Sequence, residues 1–253
     1  MLLFCAPRDW LYVTRGQCWF SERYEQEWGF DMALHLEREM KKLQDNILQL
    51  CGAVEASVSK ALQALEQQDD VLARQVIEDD TNIDLMEVRI EEEGLKILAL
   101  HQPVAVDLRR IVAVLKINND LERIGDYAVN IAKRQLELSG RPAYPQEFKL
   151  DTMCLRVNQL LRDSVDALID MRADKARAVI EADREIDRMN REIVKRLEDI
   201  LVAGGQMAPV MLQVFSVARS LERIGDHATN IAEDVIYMIT GEIARHEQKA
   251  SKQ

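Results

Sequence analysis

Two carboxylates four residues apart on a helix share one face, and four such pairs stand at matching places in the two halves of this chain. Glu122 and Asp126 lie in LERIGDYAVNIA, residues 121–132. Glu222 and Asp226 lie in LERIGDHATNIA, residues 221–232, which differs from the first segment at two positions. Asp80 and Asp84, and again Asp183 and Asp187, repeat the spacing. Asn130 and Asn230 continue the two glutamate-led stripes by four more residues and are weaker members of the same set. Like charges at this spacing cost a few tenths of a kcal/mol on an isolated helix. Acidic, oxygen-only clusters suit hard or borderline cations such as magnesium, manganese, calcium or iron.

Gly125 and Gly225 sit between the two acids of their segments. Glycine inside a helix costs about 1 kcal/mol relative to alanine. A missing side chain beside an acidic pair lets a neighbouring helix or a bound cluster approach. The competing reading is a helix–helix contact without metal. There Arg123 and Arg223, each directly after its glutamate, neutralise the acids or cap an acidic side chain of a partner.

Other chemistry finds no support in the residues. His35, His101, His227 and His246 have no zinc-ligand spacing, and none follows a glutamate by three residues as ferritin-like di-iron bundles require. His227 replaces Tyr127 in the repeat and reads as a partly exposed helical residue. No phosphate loop, dinucleotide fingerprint or nucleophile elbow is present, and no nucleophile stands beside a base. The chain is not expected to be an enzyme.

The acids need helices to hold them, and the rest of the sequence supplies six. Helix 1 is expected from about Met32 to Gln67, and helix 2 from an N-cap at Asp69 or Asp70 to Leu100. Pro103 stops helix 2, and helix 3 follows from Asp107 to Ser139, closed by Gly140. GRPAYPQEF is the clearest linker. Helix 4 should span Leu150 to Met171, and helix 5 should run from a cap at Asp174 to Ala203. Helix 6 should run from Pro209 in its first turn to Thr240, closed by Gly241.

Apolar residues recur at intervals of three and four. Val76, Ile83, Met86, Ile90 and Leu98 on helix 2 become Val179, Ile186, Met189, Ile193 and Leu201 on helix 5 under a shift of 103. The same shift pairs Ala73 with Ala176, Glu78 with Glu181 and Cys51 with Cys154. After Pro103 the shift falls to 100, so the turn between helices 2 and 3 is expected to be three residues longer in the first half. This is an internal duplication. The expected fold is all-α, two tandem three-helix bundles lying end to end or side by side. Each long helix spans roughly 45 Å. Asp84 lies 19 residues before Pro103 and Glu122 19 after it, so the acidic pairs of neighbouring antiparallel helices should stand at one height.

Bulk properties bound the partners. With 253 residues, 47% of them hydrophobic, the chain can bury two cores. A net charge of −11 disfavours nucleic acid. No apolar run approaches the ~20 residues of a membrane helix. The opening MLLFCA meets Pro7, Arg8 and Asp9 too soon for a signal-peptide core, so the chain reads as cytoplasmic. The four cysteines form no CxxC pair. Cys51 and Cys154 fall in apolar helical patterns and read as buried free thiols. All three tryptophans fall in residues 1–31, which show no helical period. That stretch is expected to be a poorly ordered extension or the product of an upstream start codon, with an aromatic docking segment as the alternative. The expected domains are then 32–140 and 150–244, with a linker at 141–149 and a polar tail at 245–253.

The duplicated LERIGD…NIA, the Asp-x-x-x-Asp pairs and the six-helix plan resemble the PhoU family of phosphate-specific transport accessory proteins. The resemblance covers residues 32–241. It implies a cytoplasmic, often dimeric negative regulator of phosphate uptake. Such a protein acts between the phosphate ABC transporter, through its ATPase, and a sensor histidine kinase, and keeps the phosphate-starvation response off when phosphate is plentiful. It reaches the membrane only through these partners. The resemblance also implies divalent or multinuclear metal (iron, manganese, magnesium or zinc). The ligands would be Asp80, Asp84, Glu122 and Asp126 in one half and Asp183, Asp187, Glu222 and Asp226 in the other. The alternative function is a metal-binding or metal-storage bundle with no direct role in phosphate signalling. A change in metal or phosphate state would be expressed at a hinge near Pro142 and Pro145.

Overall fold

The computed structural model describes residues 22–142, 144–145, 148–203 and 207–242. Those residues form six helices: α1 Glu22–Gln67, α2 Asp70–His101, α3 Ala105–Leu138, α4 Leu150–Asp170, α5 Ala173–Ala203 and α6 Ala208–Thr240. No strand occurs among the described residues. Helices α1–α3 form one bundle and α4–α6 the other. The fold is all-α with two tandem three-helix units, as the duplication requires.

Helices α2 and α6 have local reasons for their ends. Asp69 caps α2, its Oδ1 accepting from the backbone N–H of Val71 at 2.9 Å and of Leu72 at 3.0 Å. Pro209 lies in the first turn of α6, where its missing N–H leaves no bond unmade. Gly241 closes α6 at φ +79, a conformation that favours glycine, and its N–H bonds Tyr237 O.

Three expected boundaries shift. First, α1 begins at Glu22, ten residues before Met32, because ERYEQEW is rich in helix formers despite its lack of apolar period. Residues 1–21, with Trp10, Trp19, Cys5 and Cys18, lie outside the described residues, as do 243–253. Second, Asp174 is inside the first turn of α5 and does not cap it; its carboxylate pairs with Arg172, with Nε at 3.0 Å. Third, the turn between α2 and α3 is not the longer one. Only residues 102–104 separate these helices, and the three extra residues form the first turn of α3 from Ala105 to Asp107. A helical turn satisfies its own backbone, which a longer loop would not.

The core follows the apolar period. Leu43, Ile47, Leu50, Val54 and Val58 of α1 meet Val76, Ile83 and Ile90 of α2 and Ile117, Leu121, Ile124 and Ile131 of α3. The second half repeats this with Val157, Leu161 and Val165 on α4, Val179, Ile186 and Ile193 on α5, and Val214, Leu221, Ile224 and Ile231 on α6. Met86, Leu98 and Met189 flank the core, partly buried; the Leu201 side chain lies outside the description. Cys51 is buried and Cys154 partly so; both are free, and burial pushes each thiol up to about 12.

The bundles lie side by side, with α3 against α6 and α1 against α4. The α3–α6 pair is the most extensive helix contact in the fold and runs antiparallel, with Lys116 beside Asp234 and Arg134 beside Gln213. Tyr127 and His227, equivalent positions in the repeat, meet with ring centroids 5.8 Å apart. The two halves are therefore related by an approximate two-fold axis passing near these rings. This contact does not suit the hinge expected near Pro142 and Pro145. The linker is also anchored by Phe148, which is buried, and by Tyr144, whose hydroxyl donates to Asp151 at 3.1 Å.

His227 is more than a surface residue. Its Nδ1 lies 2.7 Å from Asp120 Oδ1, which also accepts from Asn230 Nδ2 at 3.1 Å. Asp120→Ala strands both donors in the interface. The expected loss of stability is about 1–3 kcal/mol, measured by urea unfolding; an unchanged midpoint with an unchanged slope would show that the contact contributes nothing.

Candidate metal centre

The eight predicted carboxylates gather into two clusters, one in the α2–α3 seam and one in the α5–α6 seam. Helix α2 brings Asp80 and Asp84, and antiparallel α3 brings Asp126 and Glu122 to the same heights. Asp80 stands opposite Asp126, and Asp84 opposite Glu122. The electrostatics report this proximity. Burial first, then Asp84 and Asp126, raise the Asp80 carboxyl above its ordinary range, with Lys133 pulling it back. Burial, then Asp126, with Asp84 and Glu87 adding, raise Glu122, while Arg123 opposes. The second seam repeats the arrangement more tightly. Burial, then Asp187, Asp226 and Glu222, push Asp183 up to about 7. Glu222 is raised by burial and then by Asp226, against Arg219 and Arg223.

The glycines make these seams possible. A Cβ on Gly225 would stand 2.7 Å from Asp183 Oδ1, so the carboxylate occupies the space a side chain would fill. A Cβ on Gly125 would stand 3.3 Å from Ile83 Cγ2 and 3.6 Å from Asp80 Oδ1.

Arginines partly balance the acids. Arg123 Nε lies 3.3 Å from Glu122, and its Nη1 lies 3.3 Å from Asp126. Arg223 Nη1 is 3.2 Å from Asp226, Arg219 Nη1 is 3.1 Å from Glu222, and Arg191 Nη1 is 3.6 Å from Asp187. Among the described residues, no three His, Cys, Asp or Glu side chains stand close enough, as placed, to hold a metal ion. The donor set nonetheless fits a cation. It is all oxygen, it comes from two facing helices, and Glu222 Oε2 is buried without a hydrogen bond although Arg219 is near. Closing the site requires the carboxylates to turn inward from their arginines.

Asn230 does not join its cluster, since it bonds Asp120 across the bundle interface. Four-residue steps drift by about 40° on a helix, so a residue eight positions on lies roughly 80° round from the first acid. Asn130 occupies the equivalent place on α3. Two residues escaped the sequence reading. Glu87 lies seven residues after Asp80, and burial, then Glu91 and Asp84, raise its carboxyl. Asn190 holds the equivalent place after Asp183; it is 6% exposed, and its Oδ1 has no hydrogen-bond partner. A seven-residue step, nearly two full turns, was the available signal.

The family profile described as the PhoU domain matches residues 32–135 and 150–235. The phosphate-specific transport system accessory protein PhoU of Escherichia coli is 35% identical over 208 residues, covering 82% of this chain and 86% of that protein. The PhoU homolog of Pseudomonas putida is 39% identical over 209 residues, covering 82% of each. The crystal structure of PhoU from Pseudomonas aeruginosa superposes with a TM-score of 0.79 at 36% identity, covering 81% of this chain and 99% of that one. That of the phosphate transport system regulatory protein PhoU from Streptococcus pneumoniae gives 0.77 at 29% identity, covering 83% and 99%.

The raised Asp183 has a sign that can be checked. Its folded value, about 7, stands above its ordinary 3.8. The folded protein therefore binds the proton more tightly than the unfolded chain. The stability this contributes is full below the ordinary value and is lost as pH rises through about 7. In the metal-free protein, Asp183→Asn should melt higher than the wild type at pH 8, and the gain should shrink as pH falls toward 4. Melting curves across that range test it; a difference independent of pH would contradict the crowding described.

Proposed function

We propose the following role for this chain, which belongs to the PhoU family: it is an accessory protein of the phosphate-specific transport system, regulatory rather than enzymatic. In finer terms it is a negative regulator of phosphate uptake and of the phosphate-starvation response. It acts in the cytoplasm, as a homodimer, between the ATPase of the phosphate ABC transporter and a sensor histidine kinase. What carries this reading is the likeness to named phosphate-transport accessory proteins over 82% of the chain. No helix among the described residues is long and apolar enough to cross a membrane, which agrees with contact through membrane partners.

The two acidic clusters are the functional centre in this reading. Each holds a divalent cation, or a multinuclear group of iron, manganese, magnesium or zinc. The notches at Gly125 and Gly225 and the buried Glu222 Oε2, balanced by the Arg219 guanidinium at 3.1 Å, support it. A cation bound there screens the repulsion among the carboxylates and so favours the folded state. The second reading, a metal-storage bundle without a signalling role, uses the same clusters.

Deleting the gene separates these readings. A phosphate-starvation reporter should switch on at high external phosphate in the deletion strain and fall silent again on complementation. A reporter silent in the deletion strain would hand the lead to metal storage. On purified protein, Mn²⁺ should raise the melting temperature and EDTA should reverse the gain. Asp126→Ala combined with Asp226→Ala should abolish the response; a wild type indifferent to both reagents would remove the metal from the account.

Gly225→Ala is a sharper probe. Alanine favours the helix by about 1 kcal/mol, while its Cβ displaces the Asp183 carboxylate. The variant should stay folded and lose part of the Mn²⁺ stabilisation, measured in the same melting assay. Full retention would mean that Asp183 is not a ligand.

A further inference from the structure

The two clusters match in their carboxylates and differ in what surrounds them. The second opens into a cleft between α5 and α6, where Asp187, Glu222 and a further carboxylate, Glu198, meet Asn190, Arg191, Lys195 and Arg219. The repeat places Val88, Glu92 and Asn119 in the first half where Arg191, Lys195 and Arg219 stand in the second. Three cationic side chains therefore ring one cluster and have no counterpart at the other. The third helix differs too. Helix α4 begins at Leu150, the equivalent of Ile47, so the second bundle lacks the length of α1 that runs from Glu22 to Asn46.

Two of these cations are engaged by the acids themselves. Arg219 holds Glu222 at 3.1 Å and Arg191 approaches Asp187 at 3.6 Å. Asn190, 6% exposed and lining the same cleft, presents an Oδ1 that no group among the described residues satisfies. A buried acceptor without a donor is costly, and a ligand that brings a donor removes the cost.

We infer that the second cluster is a coupled site, in which a divalent cation on the carboxylates frees Arg191 and Arg219 to bind, with Lys195, inorganic phosphate. The inference rests on the cation reading proposed above. Without a cation, the four carboxylates repel an anion and occupy the arginines. With one, they turn to the metal, the local charge changes sign, and the guanidinium forks face the cleft. Arginine forks match tetrahedral oxyanions. Asn190 Oδ1 adds selectivity, because phosphate at neutral pH carries a P–OH that can donate to it and sulfate carries none. Linkage makes the coupling reciprocal, so phosphate tightens the cation by the factor by which the cation tightens phosphate.

Isothermal titration of the whole protein with Mn²⁺, with and without inorganic phosphate, tests this. Phosphate should tighten one class of Mn²⁺ site by about tenfold or more, and sulfate should do so less. The combined variant Arg191→Gln, Lys195→Gln, Arg219→Gln should bind Mn²⁺ and lose the phosphate effect. Asp80→Asn with Asp84→Asn, at the first cluster, should keep it. Circular dichroism establishes that each variant is folded. Mn²⁺ binding indifferent to phosphate overturns the coupled site and leaves the cation reading standing. Absence of Mn²⁺ binding overturns the cation reading itself. Coupling that survives the triple variant places the anion elsewhere, and sulfate as effective as phosphate removes the assignment to phosphate.

Discussion

Like charges crowded into the seam between two packed helices are the constraint from which the rest of this structure follows. Four carboxylates per seam are held at one height by antiparallel register, and burial first, then the repulsion of Asp187, Asp226 and Glu222, pushes the Asp183 carboxyl up to about 7. A seam of this kind forms only if something else holds the helices together. Here the isoleucines do so. Ile83 and Ile90 on α2, with Ile186 and Ile193 on α5, are fully or nearly fully buried seven residues apart, directly beside the acids. Each such side chain contributes about 1.5–3 kcal/mol on burial, against tenths of a kcal/mol for a like-charged pair on an isolated helix. The apolar spine outweighs the acidic stripe it flanks, and the glycine notch lets both lie in one interface.

The pairing of the two halves has the same logic at a larger scale. A duplicated unit that packs on its twin about a two-fold axis uses one surface twice, and equivalent residues meet near the axis, as Tyr127 and His227 do. The halves have since diverged at this contact. Asp120 gathers His227 and Asn230, while its own counterpart is Ser220. An ionic hydrogen-bond network on one side of a pseudo-symmetric interface fixes the register, because sliding α6 by one turn would bury Asp120 without a donor. The bundles are joined through this α3–α6 contact as well as through the Pro-containing linker.

Much of this was written in the sequence, and the reasons are specific. Helix count and pairing followed from the three-and-four apolar period and the shift of 103. The facing acids followed from equal distances to Pro103. What stayed hidden depended on rotation and on long-range neighbours. The drift of about 40° per four residues turns Asn230 from the acidic stripe to the bundle interface. Glu87 and Asn190 stand seven residues after Asp80 and Asp183, a step that the four-residue acidic spacing does not contain. The three additional residues after Pro103 were assigned to a turn because proline signals a break and does not show that a helix restarts two residues later. The early start of α1 is hidden for a related reason: residues 22–31 have helix propensity without an apolar period, and periodicity alone does not register them.

Duplication gives a protein two copies of a site, and the difference between the copies is where regulation can enter. Two identical cation clusters in one rigid body would fill together and report one variable, the free cation. A ring of basic residues around one of them changes what that copy senses. In the first seam Arg123 alone pairs with both Glu122 and Asp126, and the carboxylates Glu87 and Glu91 extend the negative charge along α2. In the second, Arg191, Arg219 and Arg223 each pair with a different acid, and Asn190 removes the charge that Glu87 carries. On the cation reading proposed above, the first is biased toward a cation alone, while the second balances cation against guanidinium. A balanced site responds to whatever shifts the balance, and an oxyanion that takes the arginines does so as directly as a cation that takes the carboxylates.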